Sequence, residues 1–132
     1  MIDVRRLGSF VAVGAVGFAV DAGVLLSLAP LLGPYGARLV SFAVAVTATW
    51  LLNRLVTFSD RRSRRKFAEW GRYVSTQALG ALTNLAIYAG SIAVVPAFAD
   101  MLIIPLAFGS AGGLIVNYCL AHWVAFPATD RR

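Results

Sequence analysis

Long apolar stretches separated by short polar breaks make up almost the whole chain. Four of these stretches are long enough to cross the hydrocarbon core of a bilayer as helices: residues 7–32, 37–58, 72–95 and 101–126. Turn-forming residues separate the first pair at 33–36 and the second pair at 96–100. The pattern therefore predicts an all-α integral membrane protein, with four transmembrane helices forming two helical hairpins in a single domain, residues 1–132.

The distribution of basic residues predicts the orientation of these helices. Of the 12 Lys and Arg residues, only Arg38 lies on the side of the two short connections. The others are near the opposite helix ends or in the central loop, residues 59–71: Arg5, Arg6, Arg54, Arg61, Arg62, Arg64, Arg65, Lys66, Arg72, Arg131 and Arg132. Because basic residues accumulate on the cytoplasmic side, both termini and the central loop are predicted to be cytoplasmic.

The net charge bears on the partners of the chain. Only 14% of the residues are charged, and the formal net charge is +6. In a soluble protein such a balance would suggest nucleic acid. Here the basic residues are concentrated at helix ends and in one loop, so they indicate membrane topology and attraction to anionic lipids, and no nucleic-acid partner is expected.

The two halves of the chain resemble each other. Residues 10–17 align with residues 73–80, and residues 49–58 align with residues 117–126. The first alignment pairs Asp21 with Asn84 further along the same helices. Each half crosses the membrane twice, so both halves start on the same side. The halves are therefore predicted to be parallel repeats about an axis along the membrane normal.

Asp21 is the sharpest candidate for a functional residue. It lies near the middle of the first predicted helix, with no basic residue within two helical turns. A carboxylate at that depth costs about 2.5–3.5 kcal/mol on insertion scales, so it should face the interior of the bundle. Two interpretations are open: a packing contact to a neighbouring helix, or a ligand for sugar hydroxyls or a proton. Asn84 is open to the same choice between a helix bridge and a midplane ligand.

Polar residues also mark the cytoplasmic ends of the second and fourth predicted helices. Asn53 and Arg54 lie about one turn inside the end of the second helix. The Arg54 side chain either extends to the membrane interface or holds a phosphate, for which a guanidinium is well shaped. His122, the counterpart of Arg54 in the repeat, either donates in the same way or caps the polar end of the fourth helix.

Small residues recur at four-residue spacing along one face of the fourth predicted helix: Gly109, Gly113 and Ala121, with Asn117 between them. Such a face lets another helix backbone approach closely, so a packing role is favoured, with Asn117 as its polar contact. The first predicted helix has a comparable stripe: Ala15, Ala19 and Gly23.

No motif for catalysis is visible. The chain has one His and one Cys, so it cannot form a His/Cys metal cluster or an intrachain disulfide. No glycine-rich phosphate loop occurs. A hydrolase with paired carboxylates would need two acids in one cleft, and only Asp21 is predicted to be buried. We therefore expect neither enzymatic activity nor a cofactor.

Two segments carry a resemblance to a known family. Residues 7–14, followed by Asp21 and a run of leucines, resemble the opening of GtrA-like proteins. Residues 51–58, with Asn-Arg and then Thr-Phe closing the second helix, are similar to another part of that family's pattern. The repeat of this ending at Phe126 fits as well. The resemblance extends over essentially the whole chain.

The resemblance implies a role in cell-surface polysaccharide synthesis. GtrA-like proteins are thought to flip a polyprenyl-phosphate-linked monosaccharide across the bacterial cytoplasmic membrane. On this interpretation, arginines and His122 receive the phosphate inside, and carboxyl and amide groups bind the sugar near the midplane. The predicted substrate-binding residues are Asp21, Asn53, Arg54, Arg72, Asn84, Asn117 and His122. Because four helices enclose little volume, a homodimer is expected.

Two other functions are compatible with the sequence. One is proton-coupled export, as in the small multidrug resistance family, whose members are also four-helix chains with an acid in the first helix. Those proteins often insert in both orientations, which the strong charge bias of this chain disfavours. The other is a non-transporting membrane partner of a glycosyltransferase.

Overall fold

Helices account for nearly all of the chain in a computed structural model, which describes residues 3–101 and 103–128. In chain order the α-helices are α1 (Val4–Gly33), α2 (Gly36–Thr57), α3 (Lys66–Val94) and α4 (Ile103–Leu120). A 3₁₀ turn (Pro96–Asp100) lies between α3 and α4. No strand occurs among the described residues. The predicted all-α class is therefore confirmed.

Three of these helices, α1, α2 and α3, are long and apolar enough to cross a membrane. Helix α4 lies within the fourth predicted span, which gives four helices in total. The location of the termini and the parallel arrangement of the hairpins stay predictions. Arg131 and Arg132, which contribute to the predicted charge bias, lie outside the described residues.

A single glycine produces the turn between α1 and α2. The backbone of Gly33 has φ 72° and ψ 170°, the one positive φ angle among the described residues. Side chains of L-residues rarely permit this conformation, whereas glycine adopts it without a Cβ clash. The turn therefore forms within the segment 33–36, where the sequence predicted it.

The second helix of each hairpin ends in a π-helical turn. These turns are Asn53–Thr57 after the α-helical part of α2 and Ala121–Ala125 after α4. Each is followed by a fully buried phenylalanine, and the backbone N–H groups of Phe58 and Phe126 donate to the carbonyl oxygens five residues earlier. Because π-turns are rare, their occurrence at aligned positions shows that the two halves share local structure as well as sequence.

The chain divides into two compact units: the first comprises the described residues up to Trp70 together with Ala128, and the second comprises Gly71–Pro127. In the first unit, a Cβ added to Gly17 would lie 2.2 Å from the Thr49 methyl carbon. In the second unit, a Cβ added to Gly80 would lie 1.7 Å from Asn117 Oδ1. The alignment pairs Gly17 with Gly80 and Thr49 with Asn117, so each unit contains the same glycine contact.

The small-residue face of α4 packs against α3 within the second unit. A Cβ added to Gly109 would lie 2.7 Å from the backbone oxygen of Asn84, and one added to Gly113 would lie 2.9 Å from that of Gly80. The two backbones are therefore in close contact, as the packing interpretation predicts. The comparable stripe on α1 differs, because Gly23 has no described atom within 4 Å of an added Cβ.

Helix α3 begins earlier than the sequence predicted. It starts at Lys66, inside the predicted loop 59–71, rather than at Arg72. Its first turn contains Glu69, whose negative charge is favourable near a helix N-terminus. The side chain of Glu69 is fully buried, which fixes this turn in place. The irregular part of the central loop is therefore shorter than predicted.

One ion pair and one hydrogen bond connect the start of α1 to the end of α2 and the segment after it. Arg6 donates to Asp60 at 2.8 Å, and the hydroxyl groups of Ser9 and Thr57 lie 2.8 Å apart. The hydrogen bond from Arg6 lowers the pKa of the Asp60 carboxyl. Because the Asp60 side chain is 53% exposed, this pair contributes little to stability.

Candidate functional site

Glu69 is the centre of a buried polar cluster in the first unit. Its carboxylate is fully buried and accepts hydrogen bonds from Arg54 Nη1 at 2.6 Å, Trp50 Nε1 at 3.1 Å and the Ser63 backbone N–H at 2.6 Å. The expectation that Asp21 would be the one buried acid was therefore wrong. Glu69 is the single acid between Arg61 and Arg72 in the sequence, and this contrast with its basic neighbours was the available signal.

The guanidinium of Arg54 is engaged by this cluster. Besides Glu69, it donates to the Ser63 carbonyl at 3.0 Å and lies 5.9 Å from the centre of the Trp50 ring. The residue is buried, so its guanidinium is surrounded by other groups of the protein. A carboxylate thus occupies the position that the sequence analysis assigned to a phosphate. Through these contacts Arg54 connects α2 to the central loop.

Asp21 forms an ion pair that the sequence did not predict. Arg38 Nη1 donates to Asp21 Oδ2. Along the chain these residues are distant, but the turn at Gly33 folds α2 back beside α1. The reach of the long Arg38 side chain then brings its charge to Asp21. Arg38, the exception to the charge bias, therefore neutralises the acid in the membrane-spanning part of α1.

Asn53 and His122 are both buried within the π-helical turns. The His122 ring lies 5.9 Å from the Tyr118 ring and 4.9 Å from the Trp123 ring, measured between centroids. These aromatic contacts give His122 a place in the packing of the second unit. Asn53 and His122 therefore each lie at the end of the second helix of their own hairpin.

The second unit contains a row of polar side chains along α3 and α4, which we call the polar stripe. Its members are Arg72, Gln77, Asn84 and Asn117. Three of them have a buried atom without a hydrogen-bond partner among the described residues: Arg72 Nε, Gln77 Nε2 and Asn117 Oδ1. Gln77 is not among the residues predicted from the sequence, and its aligned residue in the first half is Gly14.

Helix geometry explains why these residues form one row. Tyr73, Gln77, Gly80 and Asn84 follow each other at three- and four-residue spacing, which places them on one face of α3. The contacts of Gly80 with Asn117 and of Asn84 with Gly109 show that this face meets α4. Arg72 directly precedes Tyr73 and lies about 100° round the helix from it. The polar stripe therefore follows the α3–α4 contact at Gln77, Asn84 and Asn117, and Arg72 precedes this part of the stripe along α3.

The predicted site residues thus fall into three groups. Arg54 belongs to the Glu69 cluster and is preceded by Asn53; Asp21 pairs with Arg38. The remaining predicted residues are all in the second unit: Arg72, Asn84, Asn117 and His122. Within the part of the chain that the structure describes, no three His, Cys, Asp or Glu side chains converge on a metal position. The predicted site residues offer hydrogen-bonding and charged groups.

Comparison with known protein families gives a match over most of the chain. Residues 9–126 match the family described as GtrA/DPMS, transmembrane domain. The matched segment runs from the first turns of α1 to the end of the π-helical turn after α4, so it contains both hairpins and every predicted site residue. Among curated proteins, no sequence matches the chain.

Proposed function

Because this chain belongs to the GtrA/DPMS transmembrane family, we propose that it flips a polyprenyl-phosphate-linked monosaccharide across the bacterial cytoplasmic membrane. The family itself points to a membrane protein concerned with lipid-linked sugar transport or synthesis. The more specific function, translocation for cell-surface polysaccharide synthesis without catalysis, is supported by the unpartnered polar atoms of the polar stripe.

The substrate explains why such atoms would be retained between apolar helices. Unpaired polar groups are costly in a membrane interior, and those that persist usually face a substrate pathway. Arg72 Nε and Gln77 Nε2 are donors, and Asn117 Oδ1 is an acceptor. Donors suit phosphate oxygens, whereas donors and acceptors together suit sugar hydroxyls. The polar stripe therefore has the complementary chemistry for this headgroup.

The length of the polar stripe favours movement of the substrate headgroup along the stripe over binding of the headgroup at a single fixed site. At about 1.5 Å per residue, Arg72 and Asn84 are about 18 Å apart along α3. This is more than half of a hydrocarbon core of about 30 Å. In this mechanism Arg72 receives the phosphate on the cytoplasmic side, and Gln77, Asn84 and Asn117 bind the sugar in turn. The prenyl chain stays in the surrounding lipid.

The geometry refines the roles proposed from the sequence. Arg54 acts as a positioning residue, because Glu69 and Ser63 occupy its guanidinium. Asp21 is paired with Arg38 rather than standing free, which weakens the support for a proton-coupled exporter. Phosphate binding on the cytoplasmic side is accordingly assigned to Arg72.

Replacement of Arg72 by glutamine is expected to slow translocation by about tenfold to a hundredfold. A hydrogen bond to a charged group is worth about 1.5–3 kcal/mol, and its loss raises the barrier correspondingly. The measurement uses vesicles containing the purified chain and a radiolabelled polyprenyl-phosphoryl hexose. The rate at which the sugar becomes accessible to a membrane-impermeant oxidant reports translocation.

The matched control is Arg62→Gln, which removes an exposed arginine from the central loop and should leave the rate unchanged. Wild-type vesicles should translocate faster than protein-free vesicles. If the pure chain had no effect but co-purified with a glycosyltransferase, it would be a non-transporting partner and the proposed function would be wrong.

A further inference from the structure

We propose that Arg38 is a second phosphate-binding residue. In the absence of substrate, Asp21 pairs with Arg38; a phosphate group then binds Arg38 by displacing Asp21. The choice of a lipid-linked phosphate as ligand rests on the proposed function. The site itself rests on the geometry of the first unit. Its location on the predicted outer side, near the turn at Gly33, suits release of a translocated headgroup.

The guanidinium of Arg38 is only partly used by the protein. It contacts Asp21 through Nη1 alone, and no other hydrogen bond of the guanidinium occurs among the described residues. The Arg38 side chain is 54% exposed despite this ion pair. A guanidinium has five N–H donors in a planar fork that fits two oxygens of a phosphate. Several donors of Arg38 are therefore open to an incoming anion.

Asp21 is placed as a competitor for this guanidinium. Its side chain is 20% exposed, and only Oδ2 contacts Arg38. The other carboxylate oxygen, Oδ1, is buried without a hydrogen-bond partner among the described residues. A one-point contact between carboxylate and guanidinium is weaker than a two-point contact with a phosphate. A phosphate can therefore replace Asp21 as the partner of Arg38. Whenever no phosphate is bound, Asp21 neutralises Arg38.

This arrangement gives Asp21 a role opposite to that of a ligand. A ligand for the sugar would strengthen substrate binding, so its loss would weaken affinity. A competitor for Arg38 opposes phosphate binding, so its loss should strengthen affinity. The two interpretations of Asp21 therefore differ in the sign of one measurable effect.

The experiment measures binding of farnesyl phosphate to the chain in nanodiscs of phosphatidylcholine. All variants carry Arg72→Gln, so that the cytoplasmic-side arginine does not contribute. Asp21→Asn should bind about three- to tenfold more tightly than its parent, because the competing charge is gone. Adding Arg38→Gln should abolish this gain. Equal or weaker binding by Asp21→Asn would overturn the proposal.

A second variant keeps the proposal testable if Asp21→Asn fails to fold. Arg38→Lys retains the positive charge and the ion pair but lacks the planar fork. It should bind farnesyl phosphate about three- to tenfold less tightly than its parent. Unchanged binding would overturn the proposal. Thermal unfolding of each variant confirms that the binding differences are measured on folded protein.

Two further ligands identify the source of the phosphate. Inorganic phosphate tests for a free anion, and farnesol tests for the prenyl chain alone. Tighter binding of farnesyl phosphate than of inorganic phosphate supports a lipid headgroup, whereas equal binding supports a free phosphate at the same residue. Binding of farnesol as tight as that of farnesyl phosphate would overturn the proposal. Because no translocation is measured, this result is independent of the vesicle experiment with wild-type chain.

Discussion

Replacement of Glu69 by alanine is expected to lower the free energy of unfolding by about 3–5 kcal/mol, because it leaves the buried charge of Arg54 without its partner. The carboxylate is fully buried and accepts hydrogen bonds from Arg54, Trp50 and the Ser63 backbone. All three donors lose their acceptor together in the variant. The effect should appear as a large drop in the thermal unfolding midpoint of the purified chain in detergent.

The chain offers a matched control for this prediction. Asp60 is also a carboxylate paired with an arginine, but its side chain is 53% exposed. Asp60→Ala should therefore change stability by less than about 1 kcal/mol. The double variant Glu69→Ala with Arg54→Ala should be less unstable than the sum of the two single variants, since the residues share one interaction. Additive losses would show that the two side chains do not depend on each other.

Replacement of Gly113 by valine should separate α3 from α4. A Cβ at this position would lie 2.9 Å from the Gly80 backbone oxygen and 3.0 Å from the Asn84 Cβ atom. The backbone atom cannot rotate away, so the helices must move apart. Overpacking of this kind costs about 1–3 kcal/mol or more. Thermal unfolding should register this loss, and translocation should fall because the polar stripe lies along the same contact.

Gly90→Ala is the matched control on α3. An added Cβ at Gly90 has no described atom within 4 Å, so this variant should be at least as stable as the wild type. A Gly113→Val variant that unfolded at the same temperature as Gly90→Ala would contradict the close packing of α3 and α4.

The sequence predicted the helices well because their signals are local. Apolar length defines each span, and the residues from Gly33 to Gly36 define the first turn without any knowledge of distant parts of the chain. The start of α3 was harder to predict, because basic residues suggested a loop. The helix begins there because Glu69, in its first turn, is buried against Arg54, and this contact is tertiary.

The partners of the charged residues could not be predicted for the same reason. Arg38 reaches Asp21 only after the hairpin has formed and both helices have taken their rotation about their own axes. The sequence shows neither the rotation nor the reach. It therefore suggested an isolated acid at Asp21 and an available guanidinium at Arg54, whereas each has a partner in the structure.

The two halves of the chain also differ in ways that the sequence alignment alone does not explain. In the first unit, Arg54 is fastened by Glu69, and Thr49 contacts Gly17 through a methyl group. In the second unit, Asn117 takes the place of Thr49, and Gln77 is added where the first half has Gly14. Related hairpins have thus kept their helix contacts. In the first unit, Arg6 and Asp21 have a buried unpartnered atom but are held in ion pairs, whereas the side chains with such atoms in the polar stripe have no ion pair among the described residues. This difference is the main physical reason for assigning the headgroup to the second unit.

Arginine side-chain NMR tests the central claim, that the phosphate binds Arg72 rather than Arg54, most directly. The chain is labelled with ¹⁵N-arginine, and the Nε–H signals are assigned with Arg72→Lys and Arg54→Lys variants. On titration with a polyprenyl-phosphoryl hexose, the Arg72 signal should shift and saturate while the Arg54 signal stays in place. A shift of the Arg54 signal with an unchanged Arg72 signal would contradict the account.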